Sequence, residues 1–565
     1  MKTRVIQHDS GDVTPTAPHD PVEAPAPPPD SGARTRTQRG GRPPLSRLLV
    51  WVLLVVLVLS CAYLASNPGS ADVSSNRDSV STGEFAAIDS YVEGEMSAQR
   101  IPGLSLGIVR DGQTVHLQGF GEADTSDRDV TPQTPFIIGS LSKSFTALAI
   151  MQLVEAGQVD LDAPVRQYIP WFRVSDAAAS RQITVRQLLN QTSGISPKTG
   201  KSFQGNGDIS DKALERAVRK LGTAELSETV GSTFQYSTVN YAVLGLIVQE
   251  VSGQSYEDYV QQQIFTPLGM QHSFTSEADA EPQGLATGHN YWFGRPAAAD
   301  VPYNRGILPA GYLISSAEDM THYLIAQLHD GSFDGTAVLS PAGTAEMHRA
   351  AVATLAADTS YGMGWFVGPV NDLPAVFHQG ETFTYHANIV LLPDSDEGVV
   401  ILMNAENSVD LFTRGRMGTI ASGVASMLAG QQPPTPPSRA PLFIVFTVLF
   451  GAICMQATGM FHSISRLRRR QLPTGRFLRR TRIVLSMVAN LCWALLVLVL
   501  LPKQLGVPLL TLTQGLPDVA YTLLVSGSVA LVWAVARTVW ALLTIRAAHG
   551  HHERQLGGPA ASMTH

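Results

Sequence analysis

The stretch FIIGSLSKSFTALAIMQLVEAG, residues 136–157, sets a serine and a lysine three positions apart at the start of a long apolar segment. Residues three apart on a helix lie on one face about one turn apart, so the Lys143 amine can reach the Ser140 hydroxyl. A helix N-terminus also has unpaired N–H groups and a positive dipole end, which both stabilise an oxyanion. Because serine is a common N-cap, the stretch alone fits either a nucleophile with its activator or a polar helix start.

Lys143 can activate a hydroxyl only after its amine has lost a proton. An ordinary lysine has a pKa of about 10.4, and removing that proton at pH 7 costs roughly 4.6 kcal/mol. Burial can lower the pKa of a lysine by about 3 to 5 units, which covers this cost. The chain contains a single Ser-x-x-Lys, and it opens a helix. We therefore predict catalysis at Ser140 if other elements complete the site.

Two later segments supply candidate partners. In FQYSTVNYAVLGLIVQEVSG, residues 234–253, Tyr236 lies in a short polar loop before an apolar helix, and such a loop can point a phenol into a cleft. In FHQGETFTYHANIVLL, residues 377–392, the run from His378 to Gly380 begins a strand, where glycine allows close approach of a substrate backbone. Taken singly, each has a structural alternative, a packed loop tyrosine and a structural histidine.

The pattern around these motifs predicts a mixed fold. EFAAIDSYVEGEMSAQR predicts an amphipathic helix, and LSLGIVR with TVHLQGFGEA predicts two strands around a turn at Asp111-Gly112. Near the other end, ANIVLLPDSDEGVVILMN predicts a hairpin, followed by a final helix over Val409–Leu428. Strands at both ends with helices between them indicate an α/β (α+β) domain with one antiparallel sheet, whose edge pairs the two extremes of the domain.

In their order, Ser-x-x-Lys, Tyr-Ser-x and His-x-Gly resemble the motifs of the serine β-lactamase and penicillin-binding-protein superfamily. The branch is that of class C β-lactamases, D-specific peptidases and related esterases. The segments ITVRQLLNQTSGI, IFTPLGMQHSF and PAGYLISSAEDM are similar to its connecting segments, and the resemblance covers about residues 84–428. It implies a β-lactamase-like serine hydrolase fold, with a central antiparallel sheet flanked by helices and a helical subdomain.

The resemblance also implies roles for single residues. By position, Ser140 is the acylated nucleophile, and Lys143 and Tyr236 shuttle its proton. The oxyanion hole uses the backbone N–H groups of Ser140 and Glu381. Such an enzyme forms a covalent acyl-enzyme, releases it to water or an amine, and needs no metal or organic cofactor. Ionising Tyr236 costs roughly 4 kcal/mol, close to the lysine figure, so both residues stay candidate bases.

Two positions depart from the family pattern. His378 and Gly380 match the strand motif where other members have Lys-Thr-Gly, and histidine binds a carboxylate more weakly near neutral pH. Two residues after the tyrosine, where many relatives have a substrate-binding asparagine, stands Thr238, with Asn240 two positions further. Thr238 and Asn240 are therefore the candidate substrate-binding residues here, together with His378 and Gly380. We therefore predict hydrolysis of an amide or ester, in a D-amino-acid peptide or an acylated small molecule. Efficient β-lactamase activity is not expected.

Composition excludes several classes of function. The chain of 565 residues is 44% hydrophobic and 15% charged, and its net charge of −7 argues against a nucleic-acid partner. The three cysteines all lie in apolar runs, so the region between Ser66 and Gly430 has no disulfide, thiolate metal site or cysteine nucleophile. The expected partners are a small-molecule or peptide substrate and a membrane.

Four apolar runs are long enough to cross a bilayer, whose hydrocarbon core needs roughly 20 helical residues. They are Leu48–Ala65, Leu442–Phe461, Ile483–Leu501 and 519–545. The other predicted parts are a disordered Pro/Arg-rich tail (1–47), a linker (66–81), the hydrolase domain (82–430), a Pro-rich linker (431–441), an Arg-rich loop (462–482) and a C-terminal tail (546–565).

Positive charge predicts the orientation of these runs. Five arginines between positions 34 and 47 precede the first run, and the loop 462–482 carries eight arginines and no acidic residue. Both are predicted to be cytoplasmic, which gives a multi-pass protein of the cell membrane with both termini inside and the hydrolase domain outside the cytoplasm. For the first run, a cleaved signal peptide or a lipidated Cys61 are the alternatives.

The three C-terminal runs resemble those of membrane-bound prodrug-activating peptidases, which remove an N-acyl-D-amino-acid cap from secreted precursors. A plain anchor is the alternative. Two further hypotheses for the whole protein stay open. One is a β-lactamase or D-alanyl-D-alanine carboxypeptidase that acts on cell-wall peptides. The other is a catalytically silent sensor or binding module that reports a ligand through its membrane helices.

Overall fold

The computed structural model describes residues 82–201, 203, 207–407, 417–436, 440–468, 476–505 and 508–556. Several predictions fall outside these residues: the N-terminal tail 1–47, the first apolar run Leu48–Ala65 with Cys61, the linker 66–81, and most of the first half of the predicted helix Val409–Leu428. They stay predictions.

An eight-stranded antiparallel sheet forms the centre of the fold, in the order β2-β1-β14-β13-β12-β11-β10-β9. The strands of the chain are β1 Gly103–Arg110, β2 Gln113–Gly121, β3 Phe136–Ile137, β4 His289–Trp292, β5 Arg295–Ala298, β6 Ile314–Ser315, β7 Ser332–Phe333, β8 Thr336–Ala337, β9 Val352–Ala353, β10 Ser360–Tyr361, β11 Phe366–Val370, β12 Leu373–Glu381, β13 His386–Leu392, β14 Glu397–Met403 and β15 Ala405–Glu406.

The sheet joins the two extremes of the domain, as predicted. Strand β1 pairs with β14, with Leu104 opposite Met403, although this pair lies one strand in from the edge that β2 forms. The turn between β1 and β2 is at Asp111 and Gly112, whose φ angles of +51° and +71° fit the tight hairpin turn that an Asp-Gly pair favours. The hairpin β13–β14 also has the predicted position.

Helices cover the sheet and form the rest of the domain. They are α1 Thr82–Gln99, α2 Ser142–Glu155, α3 Ala179–Gln182, α4 Val185–Leu189, α5 Pro197–Lys201, α6 Ala213–Lys220, α7 Thr238–Ser252, α8 Tyr256–Val260, α9 Glu277–Ala280, α10 Leu308–Gly311, α11 Ala317–Leu328, α12 Pro341–Met347 and α13 Thr419–Leu428. The C-terminal helices are α14 Ala440–Arg468, α15 Arg476–Leu495, α16 Leu501–Leu505, α17 Leu509–Gly515 and α18 Pro517–Leu556.

Apolar side chains of the sheet are buried on both faces. Val399 and Ile401 of β14 pack with residues of α1 and α13, whereas Val400 and Leu402 belong to the larger core around α2, α7 and α11. Successive side chains of a strand point to opposite faces, so one continuous apolar strand serves both cores. Helix α2 lies inside the larger core, and its Phe145 ring stacks on Tyr323 at 4.0 Å.

Three described helical segments are long and apolar enough to cross a membrane: Phe446–Ser465, Ile483–Gln504 and Pro517–Leu543. They agree with the last three predicted runs to within a few residues. Ser526 of α18 connects all three, because its hydroxyl donates to the Gln456 side chain (3.0 Å) and accepts from the Trp493 indole (2.8 Å). Such polar contacts between apolar helices stabilise a bundle.

Candidate active site

Ser140 lies in a single 3₁₀ turn, Gly139–Leu141, that leads directly into α2. The Lys143 Nζ atom lies 2.8 Å from the Ser140 hydroxyl oxygen, which is the contact that the three-residue spacing predicts. The neighbouring Ser142 hydroxyl donates to the Gly139 carbonyl (2.7 Å) and accepts from the Leu313 amide (3.1 Å). These bonds fix the turn that carries the serine.

Lys143 has no solvent-exposed surface. Its second contact is the Ala310 carbonyl oxygen, 2.6 Å from Nζ, and no salt bridge joins it to a carboxylate within the described parts of the chain. Burial without a counter-charge disfavours the ammonium form and lowers the Lys143 pKa to about 7. The free amine is therefore accessible at neutral pH beside Ser140.

Tyr236 precedes α7, and its ring centroid lies 5.0 Å from Lys143 Nζ. Part of its side chain faces the cleft, yet its removal from bulk water raises the pKa of the phenol well above the usual value. The nearby Tyr361 phenol raises that pKa further, while a hydrogen bond with Ser140 lowers it. The phenol therefore stays protonated and can pass a proton on without becoming the resting base.

His378 is only 2% exposed and lies on β12. Its Nδ1 atom is 2.6 Å from the Gln379 carbonyl oxygen, which can only accept, so Nδ1 carries the proton. Nε2 then accepts from the Tyr361 hydroxyl at 3.3 Å. Burial, together with the charge of Lys143, lowers the pKa of His378 to about 3. The site thus has a neutral imidazole at the position of the strand motif.

Two glycines bring the Ser140 turn against the end of β12. Gly139 has a φ of +53°, and a Cβ there would overlap the backbone nitrogen of Glu381. A Cβ at Gly380 would overlap the Ile138 carbonyl oxygen. The space beside Gly380 is thus filled by the chain itself. The sequence suggests the close approach of a substrate backbone as the reason for this glycine, and the structure corrects that explanation. The close contact brings the Glu381 amide to the residue that precedes Ser140.

Thr238 and Asn240 differ in their placement. Thr238 is partly exposed at the start of α7, next to the cleft. Asn240 is fully buried: its amide nitrogen donates to the Gln191 side chain (2.6 Å), and its oxygen accepts from the Ser193 hydroxyl (2.7 Å). Asn240 therefore supports the wall of the site from behind, whereas the sequence predicts a substrate contact. Its polar groups are engaged inside the protein.

Sequence reasoning missed two buried residues of this site. Gln191 has a φ of +58°, uncommon for a residue other than glycine, and its side chain accepts from the Ser237 amide at 2.9 Å. It thereby fixes the segment that presents Tyr236. Tyr361 packs edge-on against Tyr236, with ring centroids 6.1 Å apart, and bonds to His378. Gln191 lies in the recognised segment ITVRQLLNQTSGI, which was the available signal.

A cavity of about 530 Å³ adjoins this site. Thr382, which directly follows Glu381, lines it together with the side chains Tyr312, Glu277, Glu281 and Asp300. Burial raises the pKa of Glu277, and the charges of Glu281 and Asp300 raise it further. Acidic groups thus dominate the charge of this cavity.

Comparison with known proteins identifies the family of this chain. A profile of the beta-lactamase family matches residues 88–419, more than half of the chain. The chain belongs to the beta-lactamase family and has its α/β serine hydrolase fold, with an antiparallel sheet and helices.

Individual relatives are more specific. Protein flp of Staphylococcus aureus strain MW2 is 30% identical over 321 residues, 56% of this chain and 62% of that protein. The chain thus spans less than two thirds of the length of that relative. Penicillin-binding protein 4 of Amycolatopsis lactamdurans is 30% identical over 360 residues, 60% of this chain and 92% of that protein. The octameric penicillin-binding protein homologue from Pyrococcus abyssi superposes with a TM-score of 0.55 at 28% identity, covering 62% of this chain and 79% of its own.

Proposed function

We propose that this protein is a membrane-anchored serine hydrolase that acts outside the cytoplasm, through an acyl-enzyme at Ser140, on amides or esters. One observation carries the proposal: the fully buried Lys143 amine, with a pKa near 7, lies 2.8 Å from the Ser140 hydroxyl. A purely structural lysine gains nothing from being buried without a counter-charge, since burial of an unpaired ammonium is costly.

Lys143 is the base in this mechanism. Its neutral amine takes the Ser140 proton while the serine oxygen bonds to the substrate carbonyl carbon, and the Ser140 and Glu381 amides stabilise the oxyanion. Collapse of the intermediate breaks the bond to the leaving group. Tyr236, whose raised pKa keeps the phenol protonated, donates its O–H proton to that group and takes the proton of the Lys143 ammonium in its place. Water then repeats the sequence and releases the acid.

The charges near β12 favour a substrate that is uncharged where it contacts this strand. An acyl or amide group fits that description. His378 is neutral above about pH 3, and the adjoining cavity carries Glu277, Glu281 and Asp300. Neither offers a cation for a free carboxylate. Substrates of this kind include N-acylated D-amino-acid peptides and acylated small molecules.

A β-lactamase or D-alanyl-D-alanine carboxypeptidase is the second candidate. The similarity to Penicillin-binding protein 4, 92% of whose length is matched, favours it. Both reactions use substrates with a free carboxylate, which the neutral His378 would bind weakly. A silent binding module is the third candidate, and the low pKa of Lys143 argues against it, since a lysine prepared for proton transfer has no role there.

The topology belongs to the same proposal. The three apolar helices are anchors, the Arg-rich loop 462–482 is cytoplasmic, and the predicted first run adds a fourth crossing. Both termini then lie inside the cell, and the predicted hydrolase domain 82–430 lies outside.

Intact-mass spectrometry of the full-length protein in detergent tests the function. The protein is incubated separately with a penicillin and with a panel of N-acyl-D-amino-acid esters. A mass adduct is expected that is lost in Ser140→Ala and kept in Ser90→Ala, an exposed serine of α1. The ester adducts should form and clear faster than the penicilloyl adduct. An adduct in Ser140→Ala, or none in the wild type, would contradict the proposal.

A further inference from the structure

We propose that the C-terminal helix bundle positions the Glu381 amide, through the β4–β5 hairpin, and so takes part in acylation instead of serving only as an anchor. The proposal rests on the function proposed above, since it concerns the oxyanion donor of that reaction. It makes Asp518 a positioning residue, because this carboxylate joins the hairpin to the bundle.

The hairpin is joined to the bundle by two hydrogen bonds and two ring contacts. The Phe293 amide donates to Asp518 Oδ2 (2.9 Å), and the Asn290 side-chain amide donates to the Gln514 carbonyl (3.1 Å). Trp292 stacks on Tyr521, with centroids 5.5 Å apart, and the Phe293 ring lies 5.4 Å from that of Phe446. The contacts reach α14, α17 and α18.

The polar part of this contact is closed to solvent. Asp518 is 2% exposed and Asn290 is 4% exposed. Phe293 has a φ of +49°, which a bulky side chain rarely adopts. Phe293 and Gly294 form the two-residue turn of the hairpin, which requires positive φ at both positions. The Asp518 carboxylate accepts a hydrogen bond from the backbone amide of this turn and so fixes the turn to the bundle.

Two connections run from the hairpin towards the oxyanion site. The first is through the sheet: β4 pairs with β15, so that Asn290 lies opposite Glu406, and Glu406 binds His386 Nδ1 at 2.7 Å. His386 in turn lies opposite Glu381 in the β12–β13 ladder. The His386 and Glu406 side chains are 3% and 5% exposed, and a pair buried this deeply resists displacement.

The second connection is direct. The His289 amide, at the start of β4, donates to the Thr384 carbonyl (3.2 Å) and to the Asn404 carbonyl (2.8 Å). Thr384 lies three residues after Glu381, in the short loop between β12 and β13. A Cβ at Gly288 would come within 2.7 Å of the Thr384 side chain, so the hairpin base and this loop are in close contact.

Oxyanion donors are sensitive to small displacements. A shift of about 1 Å in a catalytic group can reduce a rate about a hundredfold. Loss of the Asp518 carboxylate leaves the Phe293 amide without its acceptor and removes the hydrogen bond that holds the hairpin turn to α18. The hairpin then moves relative to the bundle, and the loop after Glu381 moves with it.

The test compares Asp518→Ala, Asp518→Asn and wild type as full-length proteins in lipid nanodiscs. The acylation rate constant and the substrate KM are measured with an N-acyl-D-amino-acid ester that acylates the wild type. Asp518→Ala should acylate about ten to a hundred times more slowly, with KM little changed. Asp518→Asn keeps an acceptor oxygen and should recover most of the rate. Val525→Ala, an exposed position of α18, is the matched control and should acylate as the wild type does.

Hydrogen exchange gives a second readout. Amides between Glu381 and Leu392 should exchange faster in Asp518→Ala than in Asp518→Asn or the wild type. Acylation at the wild-type rate in Asp518→Ala would overturn the inference. So would a loss of rate in Asp518→Asn or in Val525→Ala that is as large as the loss in Asp518→Ala. A wild-type protein without any Ser140 adduct would instead overturn the proposed function, so the two failures are distinguishable.

Discussion

The Lys143 amine lies 2.8 Å from the Ser140 hydroxyl and is fully enclosed by protein. The same burial that holds this activator next to the nucleophile disfavours its charged form. Replacing the lysine should therefore lower the activity of the enzyme while it raises the stability of the fold. Lys143→Met should reduce acylation about a hundred- to ten-thousandfold, the contribution of a positioned base, and it should also stabilise the fold at pH 7.

The pH dependence of that stabilisation has a definite sign. The folded protein releases the Lys143 proton near pH 7, whereas the unfolded chain keeps it up to about pH 10.5. The folded state is therefore penalised most at and below pH 7, and the penalty shrinks by about 1.4 kcal/mol for each pH unit above it. Thermal unfolding of Lys143→Met at pH 7 and pH 9.5 checks this. A gain that is equal at both values, or equal to that of the exposed Lys220→Met, would contradict it.

Gly380→Ala should inactivate the enzyme. The new methyl group would overlap the Ile138 carbonyl oxygen, and it must push the Ser140 turn away from the Glu381 amide. Loss of one oxyanion donor reduces turnover about a hundred- to a thousandfold. Steady-state kinetics with an ester substrate measures this. Gly94→Ala is the control, because its Cβ meets nothing within 4 Å on helix α1, and its activity should not change.

His378→Lys should shift the specificity of the enzyme towards substrates with a free carboxylate. We compare kcat/KM for a penicillin or a D-alanyl peptide with kcat/KM for a neutral ester. The ratio of the first to the second should rise about tenfold, which is the effect expected from one added charge interaction of modest strength. His329→Lys, at a partly exposed position, should leave the ratio as it is. If the ratio is unchanged in His378→Lys, the neutral imidazole is not what excludes carboxylates.

Thr238→Asn should favour amide substrates. An asparagine at this partly exposed position supplies a side-chain N–H donor two residues after Tyr236, which the threonine hydroxyl offers less well. Acylation by an N-acyl amide should rise relative to acylation by the matching ester, whereas Thr223→Asn at an exposed position should change neither. An equal response of amide and ester would show that residue 238 does not contact the substrate amide.

Local pattern predicted the features of the fold that depend on neighbours in the chain. The Ser140–Lys143 contact follows from helical spacing, and the Asp111-Gly112 turn follows from the φ preferences of its residues. The pairing of β1 with β14 is a contact between distant parts of the chain, and it was predicted from the strand patterns at the two ends of the domain.

Burial and tertiary contacts determined what the sequence left open. The sequence could not choose between Lys143 and Tyr236 as the base, because the choice depends on how far burial moves each pKa in opposite directions. The predicted substrate contact of Asn240 was wrong because the direction of its side chain is set by Gln191, which is distant in the chain. The hairpin contact with Asp518 gave no signal, since a short polar strand pair looks like any surface hairpin.

The acylation rate constant of full-length wild type as a function of pH tests the central claim most directly. Quenched-flow mixing with an ester, followed by mass detection of the Ser140 adduct, gives this rate from pH 5 to pH 9. Because only the neutral Lys143 amine accepts the serine proton, the rate should fall about tenfold per pH unit below an apparent pKa of about 7 and level off above it. A rate that still rises tenfold per pH unit between pH 8 and pH 9, as an ordinary lysine or tyrosine would give, would contradict the account.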